Sequence, residues 1–513
     1  MTGEVYSRPE QASIDAWGDM FHGDTNAWSW SNLYLFYRSS EGLAPLTTRQ
    51  AEAGNLIDPD YHGFDGPVSV SYPADPAPEG FFHAFEETAA HFGIMRLPDL
   101  NGGSTHGIST YPLTIRVIDG EENRESSREA YYLPVATRTN LELLADTTCL
   151  RLDWEQRGNV SSPLTARGVQ ITNSSATDSS DIRIVFATSE VVLSSGTYRS
   201  STILELSGIG NTDILNQLNI TTLINLPGVG ENLQDQTQGS TSFRMSNDTR
   251  VLLDDYPPTS PPTRLRTNYI IYVTFRDILG EDADQMQNRV RTLLPYYAQN
   301  ISARINNALS PSMILQSLQV QYDLIFIQEL PVVELFATIS NTTGQLGMQH
   351  WNLMPLSRGN VHISGPDPIR DGSTPMIDNN FFYVDYDWEM FLSSSRFLRT
   401  FFNTTPLSTF VEEEVRPGLQ NVPLNATDEE WRDYWIPRFT NEWHPIGSCA
   451  MLPRSWGGVV DDELRVYGTL NVRVVDASVM PFGMGGHPTS TLYAMAERLG
   501  VKMRAAMGEG GEG

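Results

Sequence analysis

Two histidines, His444 and His487, stand 43 residues apart in the segments NEWHPIGSCAMLPRSWGGVVDDELRVYG and LNVRVVDASVMPFGMGGHPTSTLYAMAERLG. An imidazole with a pKa of about 6.5 can take the proton of a hydroxyl near neutral pH. A second ring on the same oxygen would orient it, holding its carbon about 3–3.5 Å from a hydride acceptor. A base and an orienting partner are what oxidation of an alcohol requires, because the proton leaves oxygen as the hydride leaves carbon. Once protonated, the base would also place positive charge beside a forming superoxide, in a site where the field is poorly screened.

Loops of this kind need rigid elements on either side. Leu470–Val475 reads as a buried strand leading to Asp476, and Ser490–Met503 as a helix following His487. Upstream, Ile182–Leu193 holds two β-branched runs, broken by Ser194, Ser195 and Gly196 before a helical stretch: a strand, a tight turn and a helix. Asn26–Glu41 has aromatic residues at helical spacing. Gln319–Ile327 reads as a short strand, and Arg358–Ser364 as a turn entering a strand. The terminal GEGGEG reads as disordered.

The two histidine segments resemble the C-terminal region of the glucose-methanol-choline oxidoreductases. The resemblance implies an FAD-dependent enzyme acting on CH–OH groups, with His444 as general base and His487 as its partner. It places Asp476, Ala477, His487, Pro488 and Thr489 at the cofactor. Dioxygen is one candidate acceptor. The stretch EVVLSSGTYRSSTILELSGIGNTDILNQLNITTLINLPGVGENLQDQ, from Glu190 to Gln236, resembles the second signature of that family, with Gly196 at the flavin. It departs from the pattern at Arg199 and at Ser201, the latter commonly Pro. RTNLELLADTTCLRL resembles the adenine-side strand, with Cys149 at the adenine contact. Thr440, Glu442, Trp443, Arg465 and Val466 fall on the substrate or oxygen side. The glucose oxidase branch carries Arg and Asn four and two residues before the first His, where this chain has Thr440 and Glu442. Losing a guanidinium fork argues against a sugar and towards a secondary-metabolite alcohol. Some family members resemble lyases or cyclases that keep the flavin for structure, so a non-redox reading stays open.

The fold implied is α/β: a doubly wound FAD-binding domain intergrown with an α+β substrate domain on an antiparallel sheet. Residues 1–240 would form the N-terminal FAD-binding region, 241–440 mainly the substrate domain, and 441–513 a return to the FAD domain. The family's opening strand and GxGxxG turn, which bind pyrophosphate at a helix N-terminus, have no counterpart here. Met1-Thr2-Gly3 resembles an interior position of the family, so the chain as written is expected to be N-terminally truncated and to hold flavin poorly, with an inactive fragment as the limiting case.

Composition narrows the partners. With 34 Lys+Arg against 62 Asp+Glu the net charge is −28, which repels phosphate backbones and anionic lipid heads. No stretch approaches the roughly 20 apolar residues of a membrane span; Asp323–Ile339 is broken by Glu329 and Glu334. A small-molecule alcohol, not nucleic acid or membrane, is the expected partner. The two cysteines, Cys149 and Cys449, read as buried thiols, and no spacing suggests a metal site. Eight Asn-x-Ser/Thr sequons (Asn159, Asn173, Asn219, Asn247, Asn300, Asn341, Asn403, Asn425) and the acidity suggest a secreted glycoprotein, although no signal peptide opens the chain.

Overall fold

The computed structural model describes residues 4–21, 28–118, 121–156, 162–254, 267–340, 342–369 and 374–508. Met1-Thr2-Gly3, the first residues of the expected Asn26–Glu41 helix, Asn159, Asn341 and nearly all of the terminal GEGGEG lie outside them.

A seven-stranded antiparallel sheet organises one half of the α/β molecule. Its strands are β1 (Gly107–Thr110), β2 (Thr237–Met245), β3 (Tyr269–Val273), β4 (Val333–Ser340), β5 (Gln345–Asn352), β6 (Val411–Arg416) and β7 (Thr440–Asn441). They run in the order β6-β2-β5-β4-β3-β1, with β7 also paired to β2. Register lines up one row across the sheet: Gly107 opposite Tyr272, then Glu334, Trp351, Gln238 and Thr440. Directly opposed residues point to the same face, so Glu334, Trp351, Gln238 and Thr440 share one side. One residue along, His350 and Gly239 point to the other side. There the helix Asp385–Phe402 covers the sheet, with the Phe391 ring 4.7 Å from His350. Gly239 is required here, because a Cβ would lie 2.4 Å from the His350 ring.

The other half is built from the segments whose spacing suggested chemistry. Val191–Leu193 pairs in parallel with Val472–Val474, which brings the turn at Gly196 beside Asp476. Thr147–Trp154, Ala166–Asn173 and Arg183–Phe186 form a three-stranded antiparallel sheet next to it. The Ser207–Gly210 bend is fixed to this sheet: Leu152 N–H donates to Ser207 Oγ at 2.8 Å and the Trp154 indole N–H to Ser207 O at 2.9 Å. The helix Pro488–Ala506 runs back against Trp30–Ser40, where Tyr37 and Thr491 hydroxyls meet at 2.8 Å.

Several expectations change. Gln319–Ile327 is helical, not a strand: a helix covers Pro311–Tyr322 and a wider turn continues through Asp323–Ile327. Pro311 starts it, Ser310 Oγ caps Met313 N–H, and buried Ile314, Leu318 and Tyr322 recur every four residues. The buried strand within Leu470–Val475 is Val472–Val474, and Leu470 is 57% exposed. Cys449 is buried, whereas Cys149 is only half-buried. The expected Asn26–Glu41 helix is seen over Trp30–Ser40, and Glu41 opens a strand. Among the described residues no helix is long and apolar enough to cross a membrane.

Candidate active site

His444 and His487 meet edge to face, with ring centroids 4.9 Å apart and planes at 82°. His444 follows β7. Its N–H donates to Asp235 at 2.9 Å, and its Nδ1 lies 2.9 Å from Gln236 Oε1. An amide oxygen only accepts, so Nδ1 carries the proton and Nε2 keeps its lone pair. The segment Asp235–Gln236 is held in turn: Asn441 Nδ2 donates to Asp235 at 2.5 Å and Gln236 Nε2 to Leu353 O at 3.3 Å.

His487 caps the helix Pro488–Ala506 through its backbone. Its N–H donates to Ser7 Oγ at 3.0 Å, its ring stands edge-on to Trp351 at 6.0 Å, and Nε2 lies 2.9 Å from Glu334 Oε1. Burial drives the titration here. It pushes His487 down to about 3 and Glu334 well above the carboxylate range. The pair is therefore a neutral acid donating to a neutral imidazole, which leaves the proton of His487 on Nδ1. Burial and the neighbouring His487 also hold His444 well below its ordinary value. Beside His444 opens a small cavity walled by Leu353, Pro355, Ile446, Met480, Met484 and Pro488 among others.

The remaining sequence-predicted residues divide by place. Thr440 and Glu442 lie on the sheet's His-bearing side, Thr440 giving its hydroxyl to Gln238 Oε1 at 2.7 Å. Trp443 adopts φ +57° and is 54% exposed. Arg465 and Val466 sit in a hairpin beside Val472–Val474, with Arg465 N–H on Asp461 at 2.8 Å, and do not line the cavity. Asp476 is a tie: its carboxylate accepts from Gly196 N–H at 2.9 Å, Ser200 Oγ at 2.5 Å and Ser478 N–H at 2.8 Å. Ala477 follows in the short helix that Asp476 caps. Cys149 lies near Arg199, three residues beyond the Gly196 turn.

This turn and the start of the last helix each fit the edge of a flat anionic cofactor. Gly196 has φ +79°, and no atom lies within 4 Å of where a Cβ would stand. Pro488 and Thr489 open a long helix whose capping residue supplies no side-chain hydrogen bond, so its N–H groups can face a ligand.

Three groups at the centre escaped the sequence reading: Asp235, Gln236 and Glu334. The first two closed a recognised motif without a role assigned to them. Glu334 was noted only as an interruption of an apolar run, although a carboxyl within a buried strand requires a partner.

Residues 1–238 match the N-terminal model of the GMC oxidoreductase family and residues 355–496 the C-terminal model. The glucose oxidase-like protein fsoC of Humicola fuscoatra is 35% identical over 501 residues, covering 97% of this chain and 80% of the relative. Glucose oxidase of Penicillium chrysogenum is 30% identical over 506 residues, covering 97% and 77%. Among solved structures, an FAD-dependent oxidoreductase from Chaetomium thermophilum superposes with a TM-score of 0.82 at 26% identity, covering 99% of this chain and 85% of that one. Two family models spanning most of the sequence, and a relative matched along four-fifths of its length, settle the assignment: the chain belongs to the GMC oxidoreductase family.

Proposed function

We propose that this protein oxidises a non-sugar alcohol, with His444 Nε2 as the base that takes the hydroxyl proton. The protein is an FAD-dependent oxidoreductase. The observation that carries the proposal is the perpendicular histidine pair, in which one nitrogen of each ring is already engaged, by Gln236 and by Glu334. That leaves one acceptor, His444 Nε2, and one donor, His487 Nδ1–H, for a substrate hydroxyl. The donor orients the oxygen and the acceptor removes its proton. Bound FAD supplies the acceptor for the C–H hydride. Gly196, Ala477, His487, Pro488 and Thr489 would hold it, with Cys149 on the adenine side and Asp476 fixing the turn. The apolar cavity walls exclude water and keep both imidazoles neutral.

Thr440 and Glu442 supply no guanidinium fork, which is why the substrate is read as other than glucose. Asn173, Asn219, Asn247, Asn403 and Asn425 are exposed and open to glycosylation, in keeping with a secreted protein. Dioxygen is the proposed electron acceptor.

The test is anaerobic mixing of the flavin-loaded protein with a panel of primary alcohols while visible absorbance is followed. Bleaching by an alcohol, slowed in His444→Ala, supports the reading. Turnover of a compound with the flavin staying oxidised would overturn it.

A further inference from the structure

Glu442 occupies a position that the chemistry above does not use. Its N–H donates to Gln236 O at 2.9 Å, continuing the pairing of β7 with β2. Alternation along this pairing puts Glu442 on the face that Thr440 shares with Glu334 and Trp351. The Glu442 carboxyl is faced by Glu334 from β4 and by Asp235 from the approach to β2. Of these neighbours Asp235 is engaged through both oxygens and Glu334 through Oε1, its Oε2 being buried without a partner. Asp235 accepts from Asn441 and His444, Glu334 meets His487, and the amides of Gln236 and Gln234 donate to Leu353 O and Pro481 O. Glu442 Oε2 is buried with no hydrogen-bond partner.

A buried acceptor left unpaired costs about 1–3 kcal/mol, so this oxygen calls for a donor from outside the chain. A hydroxyl would satisfy the hydrogen bond and nothing else. Three carboxyl groups converge here, and the charged groups that act on Glu442 are Glu334 and Asp235, with no Lys or Arg among them. A cation offsets both the burial of Glu442 and the like charge of Asp235 beside it. A quaternary ammonium has no N–H to give the free oxygen.

We infer that Glu442 is a specificity-determining residue that binds a protonated amine, and that the alcohol oxidised carries such a nitrogen close to its carbinol. The inference rests on the reading of His444 as the base of an alcohol oxidation. Burial, together with Glu334 and Asp235, pushes Glu442 up to about 8, so its carboxyl gives up a proton when the cation arrives.

Calorimetry of the flavin-loaded protein, at neutral pH in two buffers of different ionisation enthalpy, tests this with benzylamine and the uncharged benzyl alcohol as probes. Benzylamine should bind with release of most of one proton. Glu442→Gln should abolish that release and weaken benzylamine by roughly tenfold to a hundredfold, with benzyl alcohol affected less. Binding of benzylamine to the wild type without proton release overturns the inference, and so does an equal loss for both probes in the variant. Flavin bleaching separates the two readings. Bleaching by ortho-(aminomethyl)benzyl alcohol at higher kcat/KM than by benzyl alcohol supports both. Equal kcat/KM for the two overturns the inference alone, and amine-selective binding without any bleaching overturns the redox reading.

Discussion

His62 and His487 are both buried, and each meets a carboxyl oxygen at 2.8–2.9 Å, yet they are driven in opposite directions. His62 is gripped on both nitrogens, by Glu41 and Asp99, each at 2.8 Å, and is pushed up to about 9. Arg8 and the Gly63 N–H hold the other oxygen of Glu41, while the N–H groups of Asn101 and Asp58 hold Asp99, whose carboxyl stays below its ordinary value. His362, between Glu205 and Glu231 at 2.7 and 3.2 Å, behaves the same way and rises to about 10. His487 has one carboxyl, itself forced neutral by burial. Burial disfavours the imidazolium everywhere, and two carboxyl partners reverse it where one does not. The clamped histidines are cationic ties between distant segments, whereas the paired ones are kept neutral and able to accept a proton.

The largest break in this comparison should come from Glu41→Gln. It leaves Arg8 and His62 facing each other without their shared counter-charge, and removing one partner of a buried network costs about 3–5 kcal/mol. Urea denaturation measures it. The sign with pH follows from the raised value of His62. Its contribution is complete below about pH 6.5 and is lost as pH rises through about 9. Wild-type stability should therefore decline across that window and the decline should flatten in the variant. A variant as stable as wild type at neutral pH would mean that the clamp is not charged.

Next in size is His444→Ala, expected to slow anaerobic flavin reduction by roughly a thousandfold, near 4 kcal/mol. Because His444 is held well below its ordinary value, the base form persists as pH falls. The wild-type rate constant should stay level from neutral pH down past the usual histidine range. A rate that drops with an apparent pKa near 6.5 would place this ring in solvent-like surroundings and remove the contrast with His62.

The sequence made the outer frame of the site readable because its parts are local. The strand before Asp476, the turn at Gly196 and the helix after His487 each carry their own breaks and caps, and all three are present. Glu334 could not be assigned in the same way. Its role comes from register: β4 must pair with β5, and β5 with β2, before Glu334, Trp351 and Gln238 share a row under the histidines. The helix over Pro311–Tyr322 shows the converse failure. Its apolar residues also fit a strand over a short window, and the Ser310 cap lies ahead of Gln319–Ile327. The His62 clamp was invisible for the reason Glu334 was: Arg8, Glu41, His62 and Asp99 come from four separate stretches and meet only in the folded chain.

The smallest effect sharpens the comparison most. In Glu334→Gln an amide N–H replaces the carboxylic O–H that donates to His487 Nε2, with the same shape and no change of charge if the acid is neutral. Stability should then shift by less than about 1 kcal/mol, and flavin reduction should keep its level pH profile. Glu41→Gln makes the same chemical change at a carboxyl of similar burial, so chain packing does not account for a difference between the two. Equal losses would mean that Glu334 is ionised and His487 is a cation like His62. In that case the donor to the substrate hydroxyl would be a charged ring, and the neutral pair assigned to this site would be wrong.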